Sequence, residues 1–251
     1  MGLDLLRGKV AVVTGAHRGI GLAILERFSE CGADVRVVNR RADPAFSERC
    51  RALEQEHGVR ISECFADFED EAQVKDAARA LCAMKPAPDI LVNNVGIAGS
   101  TMMFTMTKME AVRRSFEVNL FSAIALTQAL SRQMMRQKRG SIIFLSSSAA
   151  FDGGAGIDYG ASKAAVIGAA RRMAVELGRF GIRVNALAPG LTRTDMGAVT
   201  SPEDQAEAAS RSVLGRIAEP CEIADCAVFL ASDLSRFVTG QVLRVDGGLL
   251  K

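Results

Sequence analysis

The stretch Val10-Ala11-Val12-Val13-Thr14-Gly15-Ala16-His17-Arg18-Gly19-Ile20-Gly21 decides the fold of this chain. Its apolar residues predict a short buried strand, and its glycines predict a tight turn into a helix. Backbone N–H groups at the start of such a helix favour the pyrophosphate of a dinucleotide. The spacing is not GxGxxG, and the glycines could also serve turn geometry alone. The candidate cofactor contacts in this stretch are Gly15, His17, Arg18, Gly19, Ile20 and Gly21.

Outside this stretch, short apolar runs alternate with longer amphipathic segments. Strand and helix repeated in this way predict a parallel sheet covered by helices on both faces. We find no internal repeat, no low-complexity tract and no linker, so residues 1–251 are expected to form a single α/β domain, a doubly wound parallel sheet. The predicted strands are 9–13, 34–38, 60–65, 89–93, 141–146, 183–187 and 241–245.

The composition excludes several classes of protein. The 251 residues are 49% hydrophobic and 24% charged, with a formal net charge of +2. This balance gives no reason to expect nucleic acid or a membrane as the main partner. The beginning of the chain lacks the features of an export signal, and no apolar run is long enough to span a bilayer. Six scattered cysteines without metal-ligand spacing indicate free thiols, no metal site and a cytoplasmic location.

The end of the second predicted strand indicates which dinucleotide is bound. An NAD site usually has an acidic residue here, which binds the ribose 2′-hydroxyl, whereas arginine suits a 2′-phosphate. Asn39 occupies the acidic position and Arg40 follows it. Arg18, in the glycine loop, could complete a clamp around the same phosphate. We therefore favour NADP(H) over NAD(H), the alternative being that Arg40 and Arg41 are only solvated loop charges.

Polar residues also follow the next two strands. Asp67 could accept a hydrogen bond from the adenine amino group or could only cap the next helix. Its neighbour Phe68 is included with it as a cofactor candidate. Asn93 and Gly96 follow the fourth strand, where parallel strands end beside the cofactor crevice.

Tyr159, the only tyrosine of the chain, lies four residues before Lys163. On a helix these two side chains share a face. A nearby ammonium favours the phenolate and moves the pKa of a tyrosine toward neutral pH, where the phenol can act as an acid or base. The plainer alternative is a packed tyrosine followed by a solvated lysine.

Taken together, the motifs TGxxxGxG at 14–21, NNxG at 93–96 and YxASK at 159–163 resemble the short-chain dehydrogenase/reductase family. Residues 185–190 and 239–248 extend the resemblance over nearly the whole chain. It implies a Rossmann-type, seven-stranded sheet, usually assembled as a tetramer or dimer. The chain looks most similar to the 3-oxoacyl-[acyl-carrier-protein] reductase and sugar dehydrogenase branches.

The resemblance implies roles for individual residues. Tyr159 would be the acid/base and a cofactor contact. Lys163 would lower the pKa of Tyr159 and hold the nicotinamide ribose, and Asn119 would hold a water molecule in the proton relay. The catalytic serine aligns with Ser147 from the preceding strand but with Ser146 by the interval to the tyrosine. We choose Ser147, because a strand's register is tied to packing whereas a loop can lose a residue at little cost.

The same resemblance assigns Thr194 to the nicotinamide carboxamide, with Pro189 and Gly190 shaping that turn. These three and Thr192, which stands where the family commonly has an aliphatic residue, are cofactor candidates, the alternative being that the threonines only cap the next helix. Residues 192–213 would form a substrate lid, expected to close over the bound molecule. The opposite walls, 96–103 and 151–158, mix apolar and acidic residues, so a small polar ketone and an acyl chain both remain open.

The sequence thus predicts an NADP(H)-dependent carbonyl reductase or alcohol dehydrogenase with a small-molecule substrate, assembled as a homotetramer or homodimer. Two alternatives stay open. One is an NAD-dependent alcohol dehydrogenase of the same family, and the other is a dinucleotide-binding scaffold without catalysis.

Overall fold

The computed structural model describes residues 4–100, 102–194 and 202–249, without the side chains of Pro202 and Asp204. Its strands form one parallel, seven-stranded sheet in the order β3-β2-β1-β4-β5-β6-β7. The predicted doubly wound sheet is therefore confirmed. The strands are β1 Val10–Thr14, β2 Asp34–Asn39, β3 Ile61–Phe65, β4 Ile90–Asn93, β5 Gly140–Leu145, β6 Ile182–Pro189 and β7 Val242–Val245.

The described part of the chain contains nine α-helices, and most of them pack against one of the two faces of the sheet. Because β1 is buried along its whole length, its side chains enter the hydrophobic cores on both faces. Val13 packs with residues of α1, α2 and α9, whereas Val12 packs with residues of α3, α5 and α7. The helices are α1 Gly19–Glu30, α2 Pro44–His57, α3 Glu71–Ala83, α4 Met109–Phe116, α5 Ser122–Gln137, α6 Ala149–Asp152, α7 Ile157–Leu177, α8 Pro202–Arg211 and α9 Pro220–Ala231.

The strand boundaries differ from the predicted ones by one or two residues. The largest difference is at β6, which continues to Pro189 instead of ending at residue 187. Its last two residues pair with Arg244 and Val245 of β7. This pairing extends the strand, and proline is tolerated because it is the last residue.

The order of the strands reverses at β1, which pairs with β2 on one side and with β4 on the other. In such sheets ligands bind at the carboxyl ends of the strands, at the point of reversal. The Thr14 hydroxyl accepts hydrogen bonds from the backbone N–H groups of Asn94 (3.0 Å) and Val95 (3.1 Å). The Asn94 amide donates to the carbonyl oxygens of Thr14 and Gly15, both at 3.0 Å. These bonds fix the two sides of the crevice between β1 and β4.

Two further observations concern the described residues only. None of their helices is long and apolar enough to cross a membrane. No three of their His, Cys, Asp or Glu side chains come together as a metal site. All six cysteines are free thiols.

Candidate functional site

The glycine loop between β1 and α1 is shaped for close approach of a ligand to the backbone. Gly15 and Gly19 have positive φ angles of 67° and 57°. A Cβ atom on Gly21 would lie 2.0 Å from the carbonyl oxygen of Gly15, so only glycine fits there. Helix α1 begins at Gly19 with no side-chain cap and no acidic residue in its first turn. Its N-terminus therefore favours an anion, while half-buried Ile20 packs against the core.

The turn after β6 lies over this loop. A Cβ atom on Gly19 would lie 3.1 Å from Cγ2 of Thr194, so the two residues are in contact. The Thr192 side chain is buried, and its hydroxyl donates to the carbonyl oxygen of Gly190 at 3.0 Å. Thr192 thus holds the turn. Of the predicted lid 192–213, residues 195–201 lie outside the described part of the chain.

Asn39 ends β2 and is 3% exposed, and neither polar atom of its amide has a hydrogen-bond partner among the described residues. Side-chain alternation along β2 puts it on the same face as Val35 and Val37, the face that α1 and α2 cover. An unsatisfied buried amide is costly, so a ligand at this strand end would find a donor and an acceptor.

Two of the basic residues near Asn39, Arg40 and His17, are paired with carboxylates. Arg40 donates from Nε to Oδ2 of Asp67 at 2.9 Å. His17 Nε2 lies 2.9 Å from Oδ2 of Asp43, and its ring lies 5.5 Å from that of Phe46. The hydrogen bond from His17, together with backbone N–H groups, holds the pKa of Asp43 below its usual value. The glycine loop is therefore tied to the start of α2.

Two residues that the sequence suggested as cofactor contacts, Phe68 and Asn93, have side chains that point into the protein. Phe68 is buried in the core beside α3 and α5. Asn93 donates from Nδ2 to the hydroxyl of Thr127 in α5 at 3.0 Å. The Oδ1 atom of Asn93 has no hydrogen-bond partner among the described residues. Gly96, by contrast, lies within the catalytic cluster, because a Cβ atom there would be 3.1 Å from Nζ of Lys163.

Helix α7 carries both Tyr159 and Lys163, one turn apart. The Lys163 ammonium is buried, donates to the carbonyl oxygen of Leu145 at 2.9 Å and lies 5.7 Å from the centre of the Tyr159 ring. Burial lowers the pKa of Lys163 to about 8. The ammonium is thus positioned at the end of β5, beside the phenol.

The two candidate serines have different surroundings. The Ser147 hydroxyl accepts from the N–H of Ala149 at 3.2 Å and lies close enough to the Tyr159 phenol to oppose the rise in its pKa. The Ser146 hydroxyl is buried and donates to the carbonyl oxygen of Lys163 at 2.8 Å, which fastens α7 to the end of β5. The geometry therefore favours Ser147 as the serine that meets a substrate and Ser146 as a structural residue.

The pKa of Tyr159 is raised in this structure, whereas the sequence led us to expect that Lys163 lowers it. Burial raises the pKa of the phenol, and the hydrogen bond with Ser147 opposes this effect. The Lys163 ammonium is directed to the carbonyl oxygen of Leu145 rather than to the phenol. Without a ligand, desolvation of the phenol is therefore the larger effect.

Asn119 lies in a π-helical turn, Glu117–Phe121, between α4 and α5. Its Oδ1 accepts from the N–H of Ile97 at 2.8 Å, and its Nδ2 donates to the hydroxyl of Ser162 at 2.9 Å. Such turns are frequent at functional sites. The resemblance pointed to Asn119, but nothing in the local sequence predicted the π-helical turn.

Asp158 is a buried residue that the sequence placed only in a substrate wall. Its Oδ2 accepts from the N–H of Ser100 at 2.8 Å and from the hydroxyl of Ser115 at 3.2 Å. A Cβ atom on Gly99 would lie 2.5 Å from its Oδ1. Asp158 therefore holds the loop after β4 against Tyr159 and is not a free acid in the crevice.

Comparisons with known proteins agree with this geometry. Residues 15–250 match the family model described as enoyl-(acyl carrier protein) reductase. A 3α-hydroxysteroid dehydrogenase of Mediterraneibacter gnavus is 38% identical over 245 residues, 97% of each chain. A crystal structure of a 3-oxoacyl-[acyl-carrier protein] reductase from Brucella melitensis with bound NAD superposes with a TM-score of 0.89. It is 32% identical and covers 100% of this chain and 94% of that one.

A protein from Beutenbergia cavernae, assigned as an NAD(P)-dependent gluconate 5-dehydrogenase with NADP at low occupancy, gives a TM-score of 0.92. It is 36% identical and covers 98% of both chains. The chain therefore belongs to the short-chain dehydrogenase/reductase family. It is an oxidoreductase that acts on carbonyl or hydroxyl groups.

The buried Lys163 predicts a pH dependence of stability. Both states hold the proton below about pH 8, and the unfolded chain holds more protons between about pH 8 and the ordinary lysine pKa of about 10.5. Raising the pH from about 7 to 9.5 should therefore stabilise the wild type relative to Lys163→Met by on the order of 1–2 kcal/mol. Urea unfolding of both proteins at each pH measures this difference. A difference that stays constant with pH would contradict the lowered pKa.

Proposed function

We propose that this protein is an NADP(H)-dependent oxidoreductase that interconverts a ketone and a secondary alcohol. The observation that carries the proposal is the cluster of the Tyr159 phenol, the Ser147 hydroxyl and the buried Lys163 ammonium, next to the glycine loop. A scaffold without catalysis would have no need of a buried ammonium beside a phenol, since an unpaired buried charge is costly.

The glycine loop fits the proposed dinucleotide. Gly15, Gly19 and Gly21 leave room for a pyrophosphate at the N-terminus of α1. The unpartnered Asn39 amide and the Arg40 guanidinium are at the strand end where the adenosine ribose would lie. Arg18, Asp67 and Thr194 complete the proposed contacts. Bound NADP(H) supplies or accepts the hydride.

The remaining chemistry belongs to side chains of this chain. Ser147 would hydrogen-bond the substrate oxygen and orient the carbonyl, and Tyr159 would donate its proton to that oxygen as the alcohol forms. The buried Lys163 would stabilise the phenolate that remains. Asn119 would support the route by which the proton is replaced from solvent. In the oxidation direction, the same groups act in reverse.

The side chains around the cluster favour a substrate with an apolar part. Met103 and Phe104 are 72% and 75% exposed on the segment after Ser100, and Phe151 is partly exposed in α6. The one buried acid beside them, Asp158, is already bonded to the protein. These features support a 3-oxoacyl or similar ketone over a polyhydroxylated sugar. The names of the acyl and hydroxysteroid relatives agree with this proposal.

We further propose that residues 1–251 act as one catalytic domain in the cytoplasm, without nucleic acid or a membrane as partner. Phe121, directly before α5, is 50% exposed, and Val175, in α7, is 74% exposed. Apolar groups in such positions are often covered by another chain, which supports assembly as a homotetramer or homodimer.

Removal of the phenol hydroxyl tests catalysis. Tyr159→Phe should reduce turnover of a 3-oxoacyl thioester by roughly 10²–10⁴-fold, because the acid is lost. Its affinity for NADPH, measured by fluorescence titration, should stay within about twofold, since the ring itself is retained.

The neighbouring serines provide a matched control for this experiment. Ser147→Ala should also lose turnover, whereas Ser146→Ala should lose much less, because the Ser146 hydroxyl bonds the Lys163 backbone and not the phenol. The bond from the Lys163 ammonium to Leu145 still holds α7 in that variant. Wild-type turnover in Tyr159→Phe would contradict the assignment.

Cofactor preference is tested at the end of β2. Arg40→Ala should weaken NADPH binding by roughly 10–100-fold, the usual loss for a charged hydrogen bond, and leave NADH binding nearly unchanged. Arg41→Ala removes a neighbouring exposed charge and is the control. Equal binding of the two cofactors in wild type and Arg40→Ala would favour the NAD-dependent alternative.

A further inference from the structure

The contact between Arg40 and Asp67 joins the end of β2 to the loop after β3. Two nitrogens of the guanidinium lie 2.9 Å and 2.7 Å from the same oxygen, Oδ2 of Asp67. The arginine side chain is 70% exposed, whereas that of Asp67 is 26% exposed. The cation that would bind a 2′-phosphate is therefore engaged by an anion of the protein itself.

Asp67 is held firmly in place. Its N–H donates to Oε1 of Gln73 at 3.0 Å, and its Oδ1 accepts from the N–H of Glu69 at 3.0 Å. Gln73 is itself bonded through Nε2 to Asp70 at 2.9 Å. The carboxylate is thus presented to Arg40 by a bonded turn, and Arg40 is the partner that can move.

We propose that Asp67 is a specificity-determining residue that competes with the 2′-phosphate for Arg40 and so limits the preference for NADP(H). A 2′-phosphate must draw Arg40 away from Asp67 or share it with a nearby negative charge. A 2′-hydroxyl carries no charge, so NAD(H) binding does not require Arg40 to leave. Asp67 therefore weakens the binding of one cofactor and not of the other.

The test is the substitution Asp67→Asn, because asparagine keeps an oxygen for the N–H of Glu69 and removes only the charge. Dissociation constants for NADPH and NADH are measured by fluorescence titration, without substrate. NADPH should bind roughly two- to fivefold more tightly than in wild type, the scale of an exposed ion pair, while NADH changes less than about twofold. If the substitution also altered a contact with the adenine, the affinities for NADPH and NADH would change by the same factor, and their ratio would stay the same.

Glu69→Gln is the matched control. It removes a charge from the same turn, but Glu69 is bonded to Arg114, at 2.9 Å and 2.5 Å, and not to Arg40. The ratio of NADPH to NADH affinity should change less in this variant than in Asp67→Asn. If the ratio of affinities changed equally in the two variants, the summed negative charge of the turn would be the cause, and the specific role of Asp67 would be overturned.

The double variant Arg40→Ala/Asp67→Asn tests whether the effect passes through Arg40. The double variant should show no greater preference for NADPH than Arg40→Ala alone, because Arg40 is no longer present for Asp67 to hold. An increase that persists would show direct repulsion of the phosphate and overturn the competition.

This inference rests on the proposed use of NADP(H), and the two can fail separately. If Arg40→Ala leaves both cofactors unaffected, the proposed cofactor preference fails. If Arg40→Ala weakens NADPH but Asp67→Asn leaves the ratio of affinities unchanged, only the role of Asp67 is refuted.

Discussion

The buried ammonium of Lys163 is the constraint on which the rest of the site depends. A buried charge is tolerated only with a well-placed partner, and this partner is the carbonyl oxygen of Leu145 at the end of β5. A second bond, from Ser146 to the carbonyl oxygen of Lys163, ties the same turn of α7 to the sheet. Together these bonds fix the rotation of α7, and with it the position of Tyr159 against Ser147.

The two ends of the crevice are built differently. At the catalytic end, Lys163 and Asn119 are buried and hydrogen-bonded, Asn119 to the N–H of Ile97 at 2.8 Å, whereas Tyr159 and Ser147 are half-buried. The adenosine end consists of exposed ion pairs, including Arg40 with Asp67. Exposed pairs are weak and rearrange readily. The groups that we propose for catalysis are therefore held largely by packing, whereas those that we propose to select the cofactor are surface charges.

Much of this architecture could be predicted from the sequence, for physical reasons. Buried parallel strands require continuous apolar runs, so β1 and β5 were recognisable from local sequence. The four-residue spacing of Tyr159 and Lys163 could place both on one helix face, and both lie in α7.

Other features depend on contacts between distant segments and could not be predicted. Nothing local shows that Arg40 binds Asp67, 27 positions away. The inward bonds of Asp158 and Asn93, and the unequal surroundings of Ser146 and Ser147, likewise depend on where the helices lie relative to the sheet.

The transfer of the hydride itself is the most direct test of this account. Wild-type protein would be incubated with a 3-oxoacyl thioester and with NADPH that carries two deuterium atoms at C4 of its nicotinamide, and the product would be examined by mass spectrometry and NMR. We expect one deuterium on the carbinol carbon of the product for each NADPH oxidised. Oxidation of NADPH without deuterium in the product, or tight NADPH binding with no reduction of any ketone tested, would contradict the account.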